Sequence, residues 1–285
     1  MTGHWRAYAG EALGTFAIVL LGCSGVAVAI LLAQVADLVS MGIIWGSAVA
    51  IAVWLAATFS GAHLNPAVTL AFAIAGKHSW RLVPGYWISQ IAGALVGASV
   101  VMLWFGGTLR QWMAEQGIAK GAPGAEAAAM VFVPYSPNPA IIGTDAAAYE
   151  AVPVGVGFSV ELIATAVLIL FVVIVSHRRT VNAPVSWAFP LAIGVLILML
   201  TVATGALSMT SLNPARDLGP RLLLLLDGWG ANAFPGPRDG LSLLITVGAP
   251  MLAGAVMGLV LRFGLDRALD RRTTDEPAEQ TADVI

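Results

Sequence analysis

Two short segments place polar side chains at the start of apolar helices, where they could contact small polar molecules. Their residues are Asn65, Pro66 and Ala67 in the first segment and Asn213, Pro214 and Ala215 in the second. Proline fits the first position of a helix because the N–H that it lacks has no partner there, and asparagine can cap the same end. The amide can also donate a hydrogen bond to a passing oxygen. The pattern predicts passage or binding of polar molecules.

Arg216 follows the second segment directly and lies in an apolar stretch. A charge at membrane depth is costly unless it faces a water-filled path, and the planar donor fork of arginine suits a hydroxyl or carbonyl oxygen. We therefore predict that Arg216 contacts the solute, with a purely structural salt bridge as the alternative. His63 either lines the cytoplasmic mouth of the same path or is a packed, hydrogen-bonded histidine.

Glu11 and Glu161 are carboxylates inside apolar segments, and each begins a Glu-x-x-x-Thr pattern. Intramembrane acids can form a proton relay. They can also accept hydrogen bonds from irregular backbone that has no other partner. The matched positions of the two residues favour the second, scaffolding role.

The elements that must position these residues are membrane-spanning helices. The chain has 285 residues, of which 58% are hydrophobic and 11% charged, a composition that requires lipid as its solvent. Six apolar runs approach or exceed the roughly 20 residues that cross a bilayer. We predict spans at 5–33, 40–59, 80–104, 153–176, 187–207 and 241–263. The runs at 65–75 and 213–226 are too short to span and are predicted half-helices.

The chain contains an internal repeat. Glu11 lies 54 residues before Asn65, and Glu161 lies 52 residues before Asn213. Each copy holds three spans, so the second is inverted relative to the first, and the half-helices are expected to meet near the bilayer midplane. We predict an all-α membrane protein with one channel domain at 1–265. Its repeats are 5–104 and 153–263, with an external loop at 105–152 and a disordered cytoplasmic tail at 266–285.

Basic residues orient the predicted spans. Nine fall on one side of a six-span model, namely Arg6, Lys77, Arg81, Arg178, Arg179, Arg262, Arg267, Arg271 and Arg272. Three fall on the other side, namely Arg110, Lys120 and Arg238. The positive-inside rule then places both termini in the cytoplasm.

Several other classes of protein do not fit the sequence. The net charge is -2 without a dense basic face, which argues against nucleic-acid binding. Cys23 is the single cysteine and is expected to be a small buried apolar residue, so the sequence offers no cysteine-based metal site. No metal-ligand cluster, nucleophile constellation or nucleotide-binding loop occurs in the sequence. We expect neither an enzyme nor a cofactor.

The stretch 60–68 (SGAHLNPAV) and the stretch 213–216 (NPAR) resemble the two signature segments of the aquaporin superfamily. The resemblance covers nearly the whole chain. It implies a right-handed bundle of six helices with two re-entrant half-helices, assembled as a homotetramer with one pore in each subunit. Asp217 and Arg221 are similar to residues of its glycerol-conducting branch; alternatively, they only brace the neighbouring loop.

The resemblance also implies where the selectivity filter lies. Trp45 is 20 residues before Asn65, Thr201 is 12 before Asn213, and Thr210 is 3 before it; with Arg216 they occupy the four filter positions. Glycerol facilitators usually combine Trp, Gly, Phe and Arg there. One aromatic wall is therefore missing from this chain.

The resemblance predicts a passive channel in the cell membrane for small neutral solutes, namely glycerol, other small polyols or urea together with water. A water-dominated channel is the alternative. A secondary transporter coupled to protons through Glu11 or Glu161 is a third possibility, which a linear flux indifferent to a proton gradient would exclude.

Overall fold

The computed structural model describes residues 4–34, 37–176 and 187–265. The regular elements in these ranges are helical and include no strand, which confirms the all-α prediction. The helices are α1 (His4–Leu31), α2 (Leu38–Ser60), α3 (Pro66–Ile74), α4 (Val83–Glu115), α5 (Glu126–Ala129), α6 (Ala146–Ala151), α7 (Val154–Ser176), α8 (Phe189–Ser208), α9 (Pro214–Leu226) and α10 (Leu241–Gly264), the last with π-helical turns near both ends.

Within the described ranges, six helices are long and apolar enough to cross a bilayer: α1, α2, α4, α7, α8 and α10. These helices correspond to the six predicted spans. The agreement arises because local hydropathy and helix-capping residues, which can be read from the sequence, decide where each helix begins and ends. Asp37 caps α2 by accepting from the amides of Val39 and Ser40, and hydrogen bonds, chiefly from the Ser40 hydroxyl, lower the pKa of this carboxyl. Gly61 ends the same helix in the left-handed conformation.

Helix α4 is longer than predicted. It has 33 residues and continues to Glu115, although the sequence was expected to enter a loop after residue 104. Polar residues lower the local hydropathy here without breaking the helix. Leu109 and Met113 lie four residues apart and stay buried, while exposed Gln111 donates to Glu115 over 2.9 Å.

The remainder of the predicted external loop is an ordered cover. After the short helix α5, Val131, Phe132 and Val133 are completely buried in the same apolar cluster as Cys23 of α1. This segment therefore reaches between the spans, which brings its backbone carbonyls to the membrane-embedded part of the molecule. Burial also raises the pKa of the Tyr135 phenol, whose hydroxyl donates to the carbonyl of Asn232 over 2.8 Å.

Small residues allow helices to approach closely at matching places of the two repeats. A Cβ added at Gly97 of α4 would lie 2.8 Å from the carbonyl oxygen of Phe16 in α1. A Cβ added at Gly258 of α10 would lie 2.9 Å from the carbonyl oxygen of Ala71 in α3. Both sites thus use glycine to bring backbones together. Helices α4 and α10 thereby support α1 and α3, which carry functional residues.

Some sequence predictions fall outside the described residues. The tail at 266–285 is one of them. So are five of the basic residues used for orientation, namely Arg178, Arg179, Arg267, Arg271 and Arg272.

Candidate functional site

The N-termini of the half-helices α3 and α9 are tied to each other. Asn65 caps α3 by accepting from the amide of Ala67 over 2.8 Å, and its Nδ2 donates to the carbonyl of Leu212 over 2.9 Å. Asn213 caps α9 in the same way, and its Nδ2 donates to the carbonyl of Leu64 over 2.7 Å. Each Nδ2 has two protons, so one remains for a molecule in the channel.

The two membrane carboxylates hold the loops before these half-helices. Glu11 accepts from the backbone amides of His63 over 3.0 Å and Leu64 over 2.6 Å. Glu161 accepts from the amides of Ser211 and Leu212, both over 2.8 Å. Both carboxylates are completely buried. The contacts are those of the scaffolding role, because each acid receives donors that no regular helix would satisfy.

The backbone of the two loops is mirrored. Ala62 and Leu64 have φ values of 53° each, and the matching Thr210 and Leu212 have φ values of 51° and 52°. Residues other than glycine rarely adopt this left-handed conformation, and it is least favourable for β-branched threonine. Such strained positions cluster at binding sites, where surrounding contacts hold them. Here the bonds to Glu11 and Glu161 provide those contacts.

A channel of about 460 Å³ runs past the junction of the half-helices. It extends from His63 and His78 at one end to Thr210 and Arg216 at the other, and both capping asparagines border it. Much of its remaining wall is apolar. These apolar lining residues include Ile18, Val49, Val53, Val68, Phe72, Leu168, Val172, Phe189, Ile193 and Ile197.

The four predicted filter residues Trp45, Thr201, Thr210 and Arg216 all border this channel. The guanidinium carbon of Arg216 lies 4.6 Å from the centre of the Trp45 ring, a cation–π distance. Its Nη1 donates to the carbonyl of Phe132 over 3.1 Å. A guanidinium has five N–H donors, so others remain for a solute. The site therefore combines one aromatic face, two hydroxyls and a fixed donor fork.

Three residues that contact the predicted filter residues were not identified from the sequence. Gly22 of α1 faces Trp45, and a Cβ there would overlap the indole ring. Phe132 acts through its backbone carbonyl, which no side-chain pattern reveals. Thr204 lies beside Thr210, with 3.0 Å between the two hydroxyl oxygens. Only Thr204 had a signal in the sequence. It lies three residues after Thr201 on the same helix, so the two side chains share a face.

Asp217 and Arg221 make contacts that brace the ordered cover that follows α5. They form an ion pair in which both side chains are completely buried. Arg221 also donates to the carbonyls of Ala233 and Pro134, each over 3.1 Å. Neither residue borders the channel. The loop-bracing alternative therefore describes their contacts.

His63 combines both arrangements considered for it, since it borders the channel and is also packed. Its Nδ1 lies 3.3 Å from the Thr69 hydroxyl, and its ring centre lies 4.8 Å from that of His78. Partial burial lowers the pKa of His78. Among the described residues no cluster of three or more metal-ligating side chains occurs.

Comparisons with known proteins agree with this geometry. Residues 1–260 match the model of the family described as major intrinsic protein. The glycerol uptake facilitator protein of Pseudomonas aeruginosa is 35% identical over 248 residues, covering 87% of this chain and 84% of that protein. Aquaporin-9 of Homo sapiens is 34% identical over 252 residues, covering 88% and 79%.

A further relative is the glycerol uptake facilitator protein of Escherichia coli K12, which is 31% identical over 281 residues and is covered over 95% of its length. The X-ray structure of the aquaglyceroporin from Plasmodium falciparum superposes with a TM-score of 0.78 at 24% identity. The superposition covers 94% of this chain and 99% of that chain, which shows a shared fold.

Proposed function

The chain belongs to the major intrinsic protein family, and from this we propose that it facilitates the passive passage of glycerol, other small polyols and urea, together with water. It is an integral membrane channel rather than an enzyme. The observation that carries the proposal is the set of four residues around one end of the channel. Trp45 offers an apolar face to a carbon chain, while Thr201, Thr210 and Arg216 offer hydrogen bonds to its hydroxyl groups.

The two half-helices account for exclusion of ions. Each N-terminus presents about half a positive charge, and both are directed at the junction that borders the channel. Cations and hydronium are repelled there, whereas neutral solutes are not. The capping asparagines add donors at the same level.

The relatives named as glycerol uptake facilitators favour polyol passage over a water-dominated channel. The contacts of Glu11 and Glu161 argue against a proton-coupled transporter, because their oxygens accept from backbone amides of the half-helix loops. A relay would need these acids to exchange protons with the channel.

We also propose a homotetramer in the cell membrane with both termini in the cytoplasm. Two observations support the orientation. Arg81 and Arg262 border the same depression, so these two basic residues lie on one side of the molecule. Lys120 instead pairs with Asp227, which follows the C-terminal end of α9. Outward-facing apolar residues such as Leu103 and Ile163 suit lipid or a neighbouring subunit.

Stopped-flow light scattering on reconstituted vesicles tests the function. Water, glycerol, urea and larger polyols are compared with protein-free vesicles of the same lipid. We expect accelerated passage of water, glycerol and urea, linear in solute concentration and unchanged by a proton gradient. Vesicles that conduct water but not glycerol would contradict the proposal, as would saturating flux that follows the proton gradient.

A further inference from the structure

The direction of the hydroxyl protons decides what the filter offers to a solute. Thr201 and Thr210 both border the channel next to Arg216. A hydroxyl has one proton and two lone pairs, so a threonine that donates within the protein presents only an acceptor to the channel. The partners of these two threonines can be read from their contacts.

Thr201 donates within its own helix. Its Oγ1 lies 2.8 Å from the carbonyl oxygen of Ile197, four residues earlier. A carbonyl oxygen cannot donate, so the proton belongs to Thr201. Threonine commonly makes this bond in helices. The lone pairs of Thr201 are then the part that can reach a solute.

Thr210 donates to Thr204, a neighbour that does not border the channel. Thr204 Oγ1 lies 2.8 Å from the carbonyl oxygen of Leu200 and therefore donates to it. The Oγ1 of Thr210 lies 3.0 Å from that of Thr204. Because the single proton of Thr204 is already used, Thr210 must donate to Thr204. The lone pairs of Thr210 likewise remain for the channel.

Thr201 and Thr210 both approach Gly205 of α8. A Cβ added at Gly205 would lie 3.7 Å from Oγ1 of Thr210 and 3.8 Å from the methyl group of Thr201. Both are ordinary van der Waals distances, so the two threonines lie close to the same point of α8.

We propose that Thr204 is a positioning residue that turns the Thr210 hydroxyl into an acceptor, so that the filter pairs two acceptors with the donors of Arg216. This deepens the proposed function and rests on it. The substrate class is compact solutes that carry donors and acceptors on the same or adjacent carbon atoms, namely 1,2-diols such as glycerol and amides such as urea. Such a solute can keep its hydrogen bonds on both sides as it passes.

The test removes the acceptor of Thr204 and keeps its shape. In Thr204→Val the Thr210 proton has no partner in the protein and turns toward the channel, where it opposes the donors of the solute. We expect the ratio of urea to water permeability, and that of glycerol to water, to fall about fivefold, the effect of one net hydrogen bond. Thr204→Ser keeps the hydroxyl and should retain the wild-type ratios.

A double-mutant cycle separates positioning from packing. In the background of Thr210→Val, the change Thr204→Val should leave the ratios unaltered, since no hydroxyl remains to be oriented. Ser99→Ala is the matched control, because Ser99 makes the same bond four residues back, to Leu95 over 2.8 Å, and does not border the channel. It should keep the wild-type ratios.

The inference is overturned if Thr204→Val keeps the permeability ratios of urea and glycerol to water within twofold of wild type. It is also overturned if Thr204→Val changes these ratios equally with and without the Thr210 hydroxyl. If Thr204→Val assembles poorly, Thr204→Ala removes the same acceptor and is judged by the same criteria. Failure of the proposed function looks different, because wild-type vesicles would then pass glycerol and urea no faster than protein-free vesicles.

Discussion

The guanidinium of Arg216 lies over the ring of Trp45, with 4.6 Å between its central carbon and the ring centre. Such a contact contributes about 0.5–2 kcal/mol, with the larger value where water is excluded. The two residues are far apart in sequence and belong to different repeats. The stacked ring and the carbonyl of Phe132 together fix the plane of the donor fork. The selectivity of the channel is therefore expected to depend on this pair as a unit.

Replacing Arg216 by alanine should remove both the donors and the positive charge of the filter. We expect solutes to pass with little discrimination and the leak of protons and potassium to rise, measured with a pH-sensitive dye and with potassium-selective electrodes. Arg216→Lys keeps the charge and loses the planar fork. It should therefore retain ion exclusion while changing the order of solute permeabilities. An Arg216→Ala channel with wild-type ion exclusion would count against the filter placement.

Thr210→Phe should restore the aromatic wall that glycerol facilitators usually have. The ring narrows the channel and removes one hydrogen-bonding group, so passage of the bulkier polyols should fall more than passage of water. Vesicle swelling in a series of polyols of increasing length measures this. An unchanged order of solutes would show that Thr210 does not border the narrowest point.

Gly22→Ala should disturb the filter from outside the channel. A Cβ at Gly22 overlaps the Trp45 ring, so the ring must move. We expect lower glycerol permeability with a smaller effect on water. Gly107→Ala is the matched control, because a Cβ at Gly107 of α4 meets no other atom within 4 Å. Equal glycerol permeability in the two variants would refute the supporting role of Gly22.

Asn65→Asp should keep the cap of α3 and weaken ion exclusion. A carboxylate can still accept from Ala67, but it cannot donate to the carbonyl of Leu212. Its negative charge offsets the roughly half positive charge that each of the two helix ends presents. We expect a measurable cation leak in a potassium flux assay.

Asn138→Asp is the control for this change. Asn138 makes the same kinds of bond, donating to the carbonyl of Gly205 over 2.9 Å and accepting from Ala140 over 3.0 Å, but it does not border the channel. It should lower stability without a cation leak. A leak of similar size in both variants would mean that loss of structure, rather than charge at the junction, opens the path to ions.

Glu161→Gln should lower stability more than flux. Glutamine has one acceptor oxygen, so its amide group faces one of the two backbone donors, Ser211 or Leu212. An unsatisfied buried donor costs about 1–3 kcal/mol. We expect a lower yield of folded protein and a lower melting temperature, with glycerol flux per folded channel near that of wild type. Exposed Glu150 provides the control Glu150→Gln, which should change neither. A well-folded Glu161→Gln protein that has lost proton-driven transport would support the transporter instead.

The sequence alone determined the architecture, because its signals are local or repeated. Uninterrupted apolar runs require spanning helices, Asn-Pro pairs begin the half-helices, and an odd number of spans in each copy inverts the second. Matched acids such as Glu11 and Glu161 follow from the same repeat, since equivalent loops need equivalent acceptors. The filter positions came from spacing within a resemblance, and the structure brings them to one channel.

Tertiary structure decided the contacts that orient the proposed filter residues. Arg216 reaches the carbonyl of Phe132, 84 residues earlier, and that carbonyl is available only because the ordered cover after α5 folds between the spans. Thr204 becomes relevant because the left-handed backbone at Thr210 brings the two hydroxyls to 3.0 Å. Hydropathy and spacing report the average environment of a segment, whereas a hydrogen bond depends on the positions of two atoms, and only the packed chain sets those positions.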